Sequence, residues 1–149
     1  MKNQLLYAIL EGREGKVANF LQKYPEYVDC SLCNDTTNPI CRATYLNNKN
    51  IVNLILKFGG NINLRSSDQR TPLMWACFRE NLDMVEFLLE NGADKTLEDE
   101  KGNNCLDLAV IRMNYKTALY LVQKANMVLR EKDWYTGKLW RDYDIDMFF

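Results

Sequence analysis

Residues 70–94, which read RTPLMWACFRENLDMVEFLLENGAD, determine the fold of this chain. Leu73, Ala76 and Cys77 recur at the spacing of one helical face. After the polar residues 79–81, a second apolar set follows at helical spacing, made up of Met84, Val85, Leu88 and Leu89. The stretch therefore predicts two short antiparallel helices joined by a tight turn.

Both ends of this helix pair carry recognisable signals. Thr71 is a favourable N-cap for the first helix, and Pro72 fits its first position, where the missing N–H is not needed. Gly92 follows the second helix and can adopt the left-handed conformation that ends a helix. The pair is thus expected to span about residues 72–91.

The same pattern occurs four times in the chain. The marker alanines Ala8, Ala43, Ala76 and Ala109 are separated by 35, 33 and 33 residues, and nine residues after each one lies a small apolar residue: Val17, Val52, Val85 or Ala118. Short helix pairs cannot bury their apolar faces alone and must stack on one another. The period predicts four stacked units, at about 1–32, 33–65, 66–98 and 99–126.

These motifs resemble the ankyrin repeat. The family's usual string Thr-Pro-Leu-His-x-Ala-Ala matches residues 71–77, with Met74 in place of the histidine, and residues 58–63 and 99–104 match its hairpin segments. The resemblance covers residues 3 to about 126. It implies an all-α solenoid of stacked antiparallel helix pairs with protruding β-hairpins.

Some segments depart from the family pattern. The first unit has no hairpin before it, and its outer helix is expected to end at Tyr24, because Pro25 disfavours helix at the preceding residue. Two extra residues make the hairpin at 29–38 irregular. In the fourth unit Ala125 replaces the glycine, so the last outer helix is expected to extend toward Arg130 or Lys132.

The composition argues against several functional classes. The 149 residues include 19 basic and 20 acidic side chains, which gives no broad basic surface for nucleic acid. No apolar run is long enough to span a membrane, and no secretory signal is expected. Histidine is absent, which removes the histidine-dependent nucleophiles and the usual catalytic zinc sites. We expect no catalytic residues, no cofactor and no small-molecule substrate.

The five cysteines are interpreted as reduced structural thiols in a cytoplasmic protein. Cys30, Cys33 and Cys41 could supply three thiolates to zinc, but a structural site needs four ligands and no histidine can complete it. No metal site is therefore expected.

Residues 127–149 do not repeat, and we expect them to form an extension of the last helix followed by an aromatic, acidic tail. Residues 131–149 hold six aromatic, five acidic and three basic side chains. Two interpretations stand: Trp134, Leu139 and Trp140 cover the apolar face of the last unit, or the tail docks on a partner through tryptophans such as Trp134 and Trp140.

The family resemblance implies a partner surface on the concave side, formed by the inner helices and hairpin tips. The repeat period places an aromatic group flanked by arginines on that side, a composition common in binding hot spots. Its residues are Arg42, Tyr45, Arg70, Trp75, Phe78, Arg79 and Arg112. The alternative is that Tyr45 and Phe78 simply pack between adjacent units.

The sequence thus favours a non-catalytic protein–protein interaction module that binds one or more proteins through its concave face and its tail. A small structural or adaptor subunit of a larger assembly is preferred, since a plain inhibitor would need only the repeats. The alternative is a regulatory inhibitor that occludes a target enzyme.

Overall fold

The structure is a computed structural model that describes residues 1–32 and 37–129. Within these ranges it contains α-helices and no strand, which confirms the all-α class. The elements are α1 Lys2–Leu10, α2 Glu14–Lys23, a 3₁₀ turn Pro25–Tyr27, α3 Pro39–Tyr45, α4 Lys49–Lys57, α5 Pro72–Phe78, α6 Leu82–Glu90, α7 Cys105–Ile111 and α8 Tyr115–Gln123.

The helices form four pairs that stack in chain order. The inner helices α1, α3, α5 and α7 contact one another in sequence, while α2 packs on α4 and α6 packs on α8. The marker alanines lie at the inner-helix contacts, where Ala43, Ala76 and Ala109 have no exposed surface. Small side chains at this position let the backbones approach closely, as the repeat period predicted.

Polar side chains cap the helices in every unit after the first. The predicted Thr71 cap is confirmed, since its hydroxyl accepts a hydrogen bond from the Met74 N–H at 3.3 Å. Asparagines cap the other helices in the same way, each accepting from the N–H three residues later: Asn38, Asn48, Asn81, Asn104 and Asn114. Each such cap stabilises its helix by about 1 kcal/mol.

The turn between the two helices of each unit has the same backbone conformation in all four units. Its left-handed residues occupy equivalent positions and are Gly12 (φ 67°), Asn47 (57°), Glu80 (61°) and Met113 (55°). Only the first unit uses glycine, the residue that adopts this region without steric cost. The left-handed end of α6 at Gly92, with φ 86°, was predicted correctly.

The expected extension of the last outer helix is wrong, because α8 ends at Gln123. Asn126 adopts the left-handed region with φ 52°, a conformation that asparagine tolerates better than most residues. The chain then turns back, and the Met127 N–H donates to the Leu121 carbonyl at 3.0 Å. The Lys95 ammonium also donates to the Ala125 carbonyl, which holds this end in place.

The segment after α8 covers part of the last unit. Ala125, Met127 and Leu129 pack against the core, and the Met127 sulfur lies 3.6 Å from the Cys105 sulfur. Residues 130–149, including Trp134 and Trp140, lie outside the described residues. Whether they cover the last unit or bind a partner stays a prediction.

The hairpin segments project as tight tips with no strand in the described ranges. The Ser66 N–H donates to the Arg70 carbonyl, and the Asp99 N–H donates to the Asn103 carbonyl, both at 2.9 Å. In the first hairpin the equivalent bond joins Leu32 to Thr37 and closes a loop one residue longer. This longer loop agrees with the predicted irregularity at 29–38, of which residues 33–36 are not described.

Candidate protein-binding surface

Three aromatic rings form a continuous row across the second and third units. Tyr45 at the end of α3 meets Trp75 of α5 with ring centroids 5.5 Å apart and planes at 84°. Trp75 meets Phe78 at 5.8 Å and 86°. Edge-to-face pairs of this kind add about 0.5–1.5 kcal/mol each beyond the area they bury. All three rings are half-buried, so each keeps an exposed portion.

Four arginines lie over the faces of these rings. Arg79 and Arg42 lie 4.5 and 5.7 Å from the Tyr45 centroid, and Arg70 lies 5.0 Å from that of Trp75. Phe78 has two guanidiniums at 4.8 Å, from Arg70 and Arg112. We call these seven residues the aromatic–arginine patch: Arg42, Tyr45, Arg70, Trp75, Phe78, Arg79 and Arg112.

Two carboxylates of the hairpin tips hold the Arg70 side chain in position. Its Nε lies 3.5 Å from a carboxylate oxygen of Asp68 and 3.5 Å from one of Asp99. The Asp99 side chain is only 1% exposed, and its other oxygen accepts the N–H groups of Lys101 and Asn103 at 2.9 Å. Ion pairs of this geometry hold the guanidinium against Trp75 and Phe78 and link the third unit to the fourth.

Trp75 is fixed by a hydrogen bond as well as by its neighbours. Its indole Nε1–H donates to the Ser66 hydroxyl at 3.2 Å, and that hydroxyl in turn donates to Asp68. Because Tyr45 belongs to the preceding unit, Trp75 also contributes to packing between units. A cavity of about 300 Å³ lies beside Trp75 and Tyr45, with Ser66 and Ser67 at its edge.

The structure brings together all seven inner-helix and hairpin residues that the sequence singled out. The alternative of simple packing applies in part, since Tyr45 and Phe78 do pack on Trp75 while remaining half-exposed. Sequence reasoning missed Ser66, Asp68 and Asp99, which position Trp75 and Arg70. One signal could have identified two of them: Ser66 and Asp99 occupy the same position in consecutive units.

Residues 5–99 of the chain match a family model of ankyrin repeats in three copies. The chain belongs to the ankyrin repeat family. Ankyrin repeats serve as protein–protein interaction modules, so the match supports that general role.

Three similar proteins illustrate how far the similarity extends. The Ankyrin repeat and KH domain-containing protein mask-1 of Caenorhabditis elegans is 33% identical over 78 residues, which are 52% of this chain and 3% of that protein. The E3 ubiquitin-protein ligase KEG of Arabidopsis thaliana is 29% identical over 106 residues, 68% of this chain and 6% of that protein. The putative palmitoyltransferase ZDHHC13 of Danio rerio is 39% identical over 75 residues, 50% of this chain and 11% of that protein. The similarity thus spans a small part of each relative.

The outer helix of the third ankyrin unit is acidic. Asp83, Glu86 and Glu90 lie on α6, and on the neighbouring α8 the pKa of Tyr120 is raised by desolvation and by the charges of Glu86 and Glu90. These carboxylates lie on the outer helices, whereas the aromatic–arginine patch lies on the inner helices and the hairpin tips. The two charged surfaces are therefore distinct.

Cys41, Cys77 and Cys105 are free thiols, and two of them are strongly protected. Burial raises the pKa of Cys41 to about 12, and burial likewise raises the pKa of Cys77 well above its usual value. Only a thiolate is nucleophilic or ligates metal, so both thiols are unreactive near neutral pH. No group of three or more metal-ligating side chains occurs among the residues at 1–32 and 37–129.

The helices are short, and the longest described one has 10 residues. Crossing a bilayer takes about 20 apolar residues in a helix. Accordingly, no helix in the described ranges could span a membrane.

Proposed function

We propose that this ankyrin repeat protein is a non-catalytic structural or adaptor subunit of a larger protein assembly. Its principal contact is the aromatic–arginine patch, which occupies the concave side that the family resemblance implies. A second contact is the aromatic, acidic segment at 130–149, through Trp134 and Trp140. Reduced, buried cysteines fit a cytoplasmic location.

One observation carries the proposal: a row of half-exposed aromatic rings, each covered by guanidinium groups, lies at the centre of the stack. Tryptophan, tyrosine and arginine are the residue types most enriched in binding hot spots. Trp75 and Arg70 are already ordered by Ser66, Asp68 and Asp99, so a partner would lose little side-chain entropy on ordering them.

A non-catalytic role is supported by the chemistry of the titratable groups. The chain has no histidine, and its most buried thiols have raised pKa values that keep them protonated. The carboxylates nearest the patch, Asp68, Asp99 and Glu80, already pair with arginines. None of these groups is placed as a free general base beside a nucleophile.

Two separate surfaces favour an adaptor over an inhibitor. A chain that only occludes an enzyme needs the repeats alone, whereas this chain also carries six aromatic side chains in residues 131–149. An adaptor would bind one protein at the patch and another at this segment.

Affinity purification of the full chain from cells, in wild-type form and as Trp75→Ala, tests the proposal. We expect stoichiometric partners in one large complex, and a loss of about 2 kcal/mol or more in binding, roughly thirtyfold, for the partner at the patch. The control variant Glu86→Ala changes a charge on α6 and should alter affinity by only a few tenths of a kcal/mol.

Other outcomes would redirect or reject the proposal. Normal affinity for Trp75→Ala with a large loss for Trp134→Ala and Trp140→Ala would move the principal contact to the segment at 130–149. Recovery of a substoichiometric enzyme that this chain inhibits in an activity assay would establish the inhibitor instead.

A further inference from the structure

We infer that the groove between α1 and α2 is a further docking site, and that its occupant is an acidic amphipathic helix of a partner protein. The apolar face of that helix lies on Tyr7, Phe20 and Tyr24, and two of its carboxylates, seven residues apart, pair with Lys16 and Lys23. This inference goes beyond the proposed function, whose contacts are the aromatic–arginine patch and the segment at 130–149.

The groove has aromatic walls held in place by their neighbours. Its volume is about 690 Å³, against about 300 Å³ for the cavity beside Trp75. Tyr7 of α1 lines it and is 62% exposed. Phe20 and Tyr24 of α2 line the other side with ring centroids 5.2 Å apart, and Tyr27 packs edge-on against both of them at 5.7 and 6.2 Å. The groove thus offers apolar surface that needs little ordering on binding.

Helices occupy the equivalent face of the next unit. There α3 packs on α1 and α4 packs on α2, so this face of the second helix pair receives the first pair. The same face of α1 and α2 lines the groove instead. A groove between two helices, on a face that accepts helices elsewhere in the stack, fits a helical segment with an apolar side.

The polar side chains of the groove exclude a purely apolar occupant. Asn19 and Lys23 stand where the second unit has Leu54 and Phe58, which pack against the core. An apolar ankyrin face seated here would desolvate the amide and the ammonium group without giving them partners. The occupant therefore carries polar groups at the edge of its apolar side.

The charge of the groove specifies those polar groups. In the part of the chain that the structure describes, no carboxylate lies within ion-pair distance of the exposed Lys16 or Lys23. Glu11 also lines the groove, but its carboxylate pairs with Arg13 at 2.8 Å. The Lys23 ammonium lies 5.3 Å from the centroid of Tyr24, directly beside the aromatic wall. Carboxylates next to apolar side chains complement this arrangement.

The two lysines also set the spacing of the carboxylates. Seven residues of α2 correspond to about 10 Å along its axis and almost two full turns, so Lys16 and Lys23 lie on one side of the helix. Glutamates seven residues apart in a partner helix have the same separation. Apolar residues three and four positions after the first glutamate share its face and reach the rings between the lysines.

Fluorescence anisotropy of the full chain with a labelled helical peptide tests the inference. The probe, blocked at both ends, is Ala-Glu-Gln-Ala-Leu-Leu-Ala-Gln-Glu-Ala-Gln-Leu-Leu-Ala-Gln-Glu-Ala-Gln, which places its glutamates on the leucine face. The control peptide Ala-Gln-Ala-Glu-Leu-Leu-Ala-Gln-Gln-Ala-Glu-Leu-Leu-Ala-Gln-Gln-Ala-Glu has the same composition with the glutamates on the opposite face. We expect the probe to bind more tightly than the control peptide, and to bind less tightly as NaCl rises from about 50 to about 200 mM.

Variants of the chain locate the site. Lys16→Gln and Lys23→Gln should each weaken probe binding about two- to fivefold, as loss of one exposed ion pair does, and the double variant about tenfold. Tyr7→Ala should weaken it about fivefold or more, as loss of an aromatic contact does. The matched control Lys57→Gln removes an exposed lysine of α4 and should leave binding unchanged. Circular dichroism checks that each variant is folded.

Several results would overturn the inference. Absence of probe binding, equal binding of the two peptides, or wild-type affinity for the double lysine variant would each reject an acidic helix in this groove. Binding that appears only when Asp142, Asp144 and Asp146 are changed to asparagine would make this chain's own segment the occupant. Self-association of the wild-type chain in sedimentation velocity that Tyr7→Ala abolishes would make a second copy the occupant.

The proposed function can fail separately from this inference. Trp75→Ala changes the third unit and should leave probe binding at the first unit unchanged. If Trp75→Ala releases the co-purified partner while the probe does not bind, the interaction module stands and the groove is not a docking site. If the probe binds as expected while Trp75→Ala releases no partner, the groove stands and the aromatic–arginine patch is not the principal contact.

Discussion

Asp99 shows how a single residue outside the patch supports it. Its buried carboxylate accepts two backbone N–H groups of its own hairpin tip and lies beside Arg70, whose guanidinium covers Trp75 and Phe78. The residue thus contributes both to the tip's conformation and to the surface that we propose for binding.

We expect Asp99→Ala to lower the free energy of unfolding by about 2 kcal/mol, because buried N–H groups and the Arg70 guanidinium lose their acceptor. Binding at the patch should weaken as well, since Arg70 is no longer held over the rings. Chemical denaturation and titration with the partner measure the two effects. Glu100→Ala, at an exposed position of the same tip, is the control and should change neither quantity appreciably.

The Cys41 thiol makes stability depend on alkaline pH. Burial raises its pKa from 9.0 to about 12, so between these values the unfolded chain releases a proton that the folded chain keeps. Below pH 9 the Cys41 thiol therefore costs no stability. Between pH 9 and about 12 it lowers the free energy of unfolding by about 1.4 kcal/mol per pH unit. Denaturation at pH 8 and pH 10 should show a steeper loss for wild type than for Cys41→Ala. Parallel losses in the two proteins would contradict the burial of this thiol.

At the scale of elements, the turn inside each helix pair is a source of backbone strain. Met113 adopts φ 55° with an exposed side chain, at the position where the first unit has Gly12. Left-handed backbone costs a residue with a Cβ about 1 kcal/mol or more.

Met113→Gly should raise the free energy of unfolding by about 0.5–1 kcal/mol, because the strain is relieved while little packing is lost. Thermal and urea denaturation check this. Met113→Ala keeps the Cβ atom and should show no comparable gain, so an equal gain in both variants would attribute the effect to the methionine side chain instead of the backbone.

The start or end of a helix could be predicted from the sequence where neighbouring residues determine it. It could not be predicted where residues distant in the sequence determine it. The Thr71 cap, the Pro72 start and the Gly92 end are local signals, and all three are confirmed. The end of α8 could not be predicted from Ala125, which carries no stop signal of its own. The helix ends there because of Asn126 and of Lys95, which lies thirty residues before Ala125.

The same distinction applies to the candidate site. The repeat period placed Tyr45, Trp75 and Phe78 on one side, because equivalent positions of stacked units share a face. It could not show that Ser66 binds the Trp75 indole or that Asp99 fixes Arg70, because those contacts depend on how the hairpin tips lie against the helices.

On the scale of the whole molecule, the four units are alike in their interiors and different at the outer face of the first unit. Position 16 is an exposed lysine, whereas its equivalents Ile51, Met84 and Thr117 are fully or almost fully buried. Lys16 and Lys23 border the open groove of about 690 Å³ between α1 and α2, which Tyr7 and Phe20 also line. The apolar surface used between units is thus interrupted by charge here.

Lys16 affects how the protein behaves at high concentration, where copies can associate with one another. A stack whose opposite faces complement each other can grow head to tail into an open fibre, since nothing in such a contact closes the assembly. Lys16 opposes that growth, because a second copy seated on the groove would have to desolvate its ammonium group. Lys16→Ile should therefore show self-association that increases with concentration in sedimentation velocity, while Lys57→Ile on the exposed side of α4 should sediment as wild type does. The charge of a single ammonium group would then be what keeps the protein from polymerising.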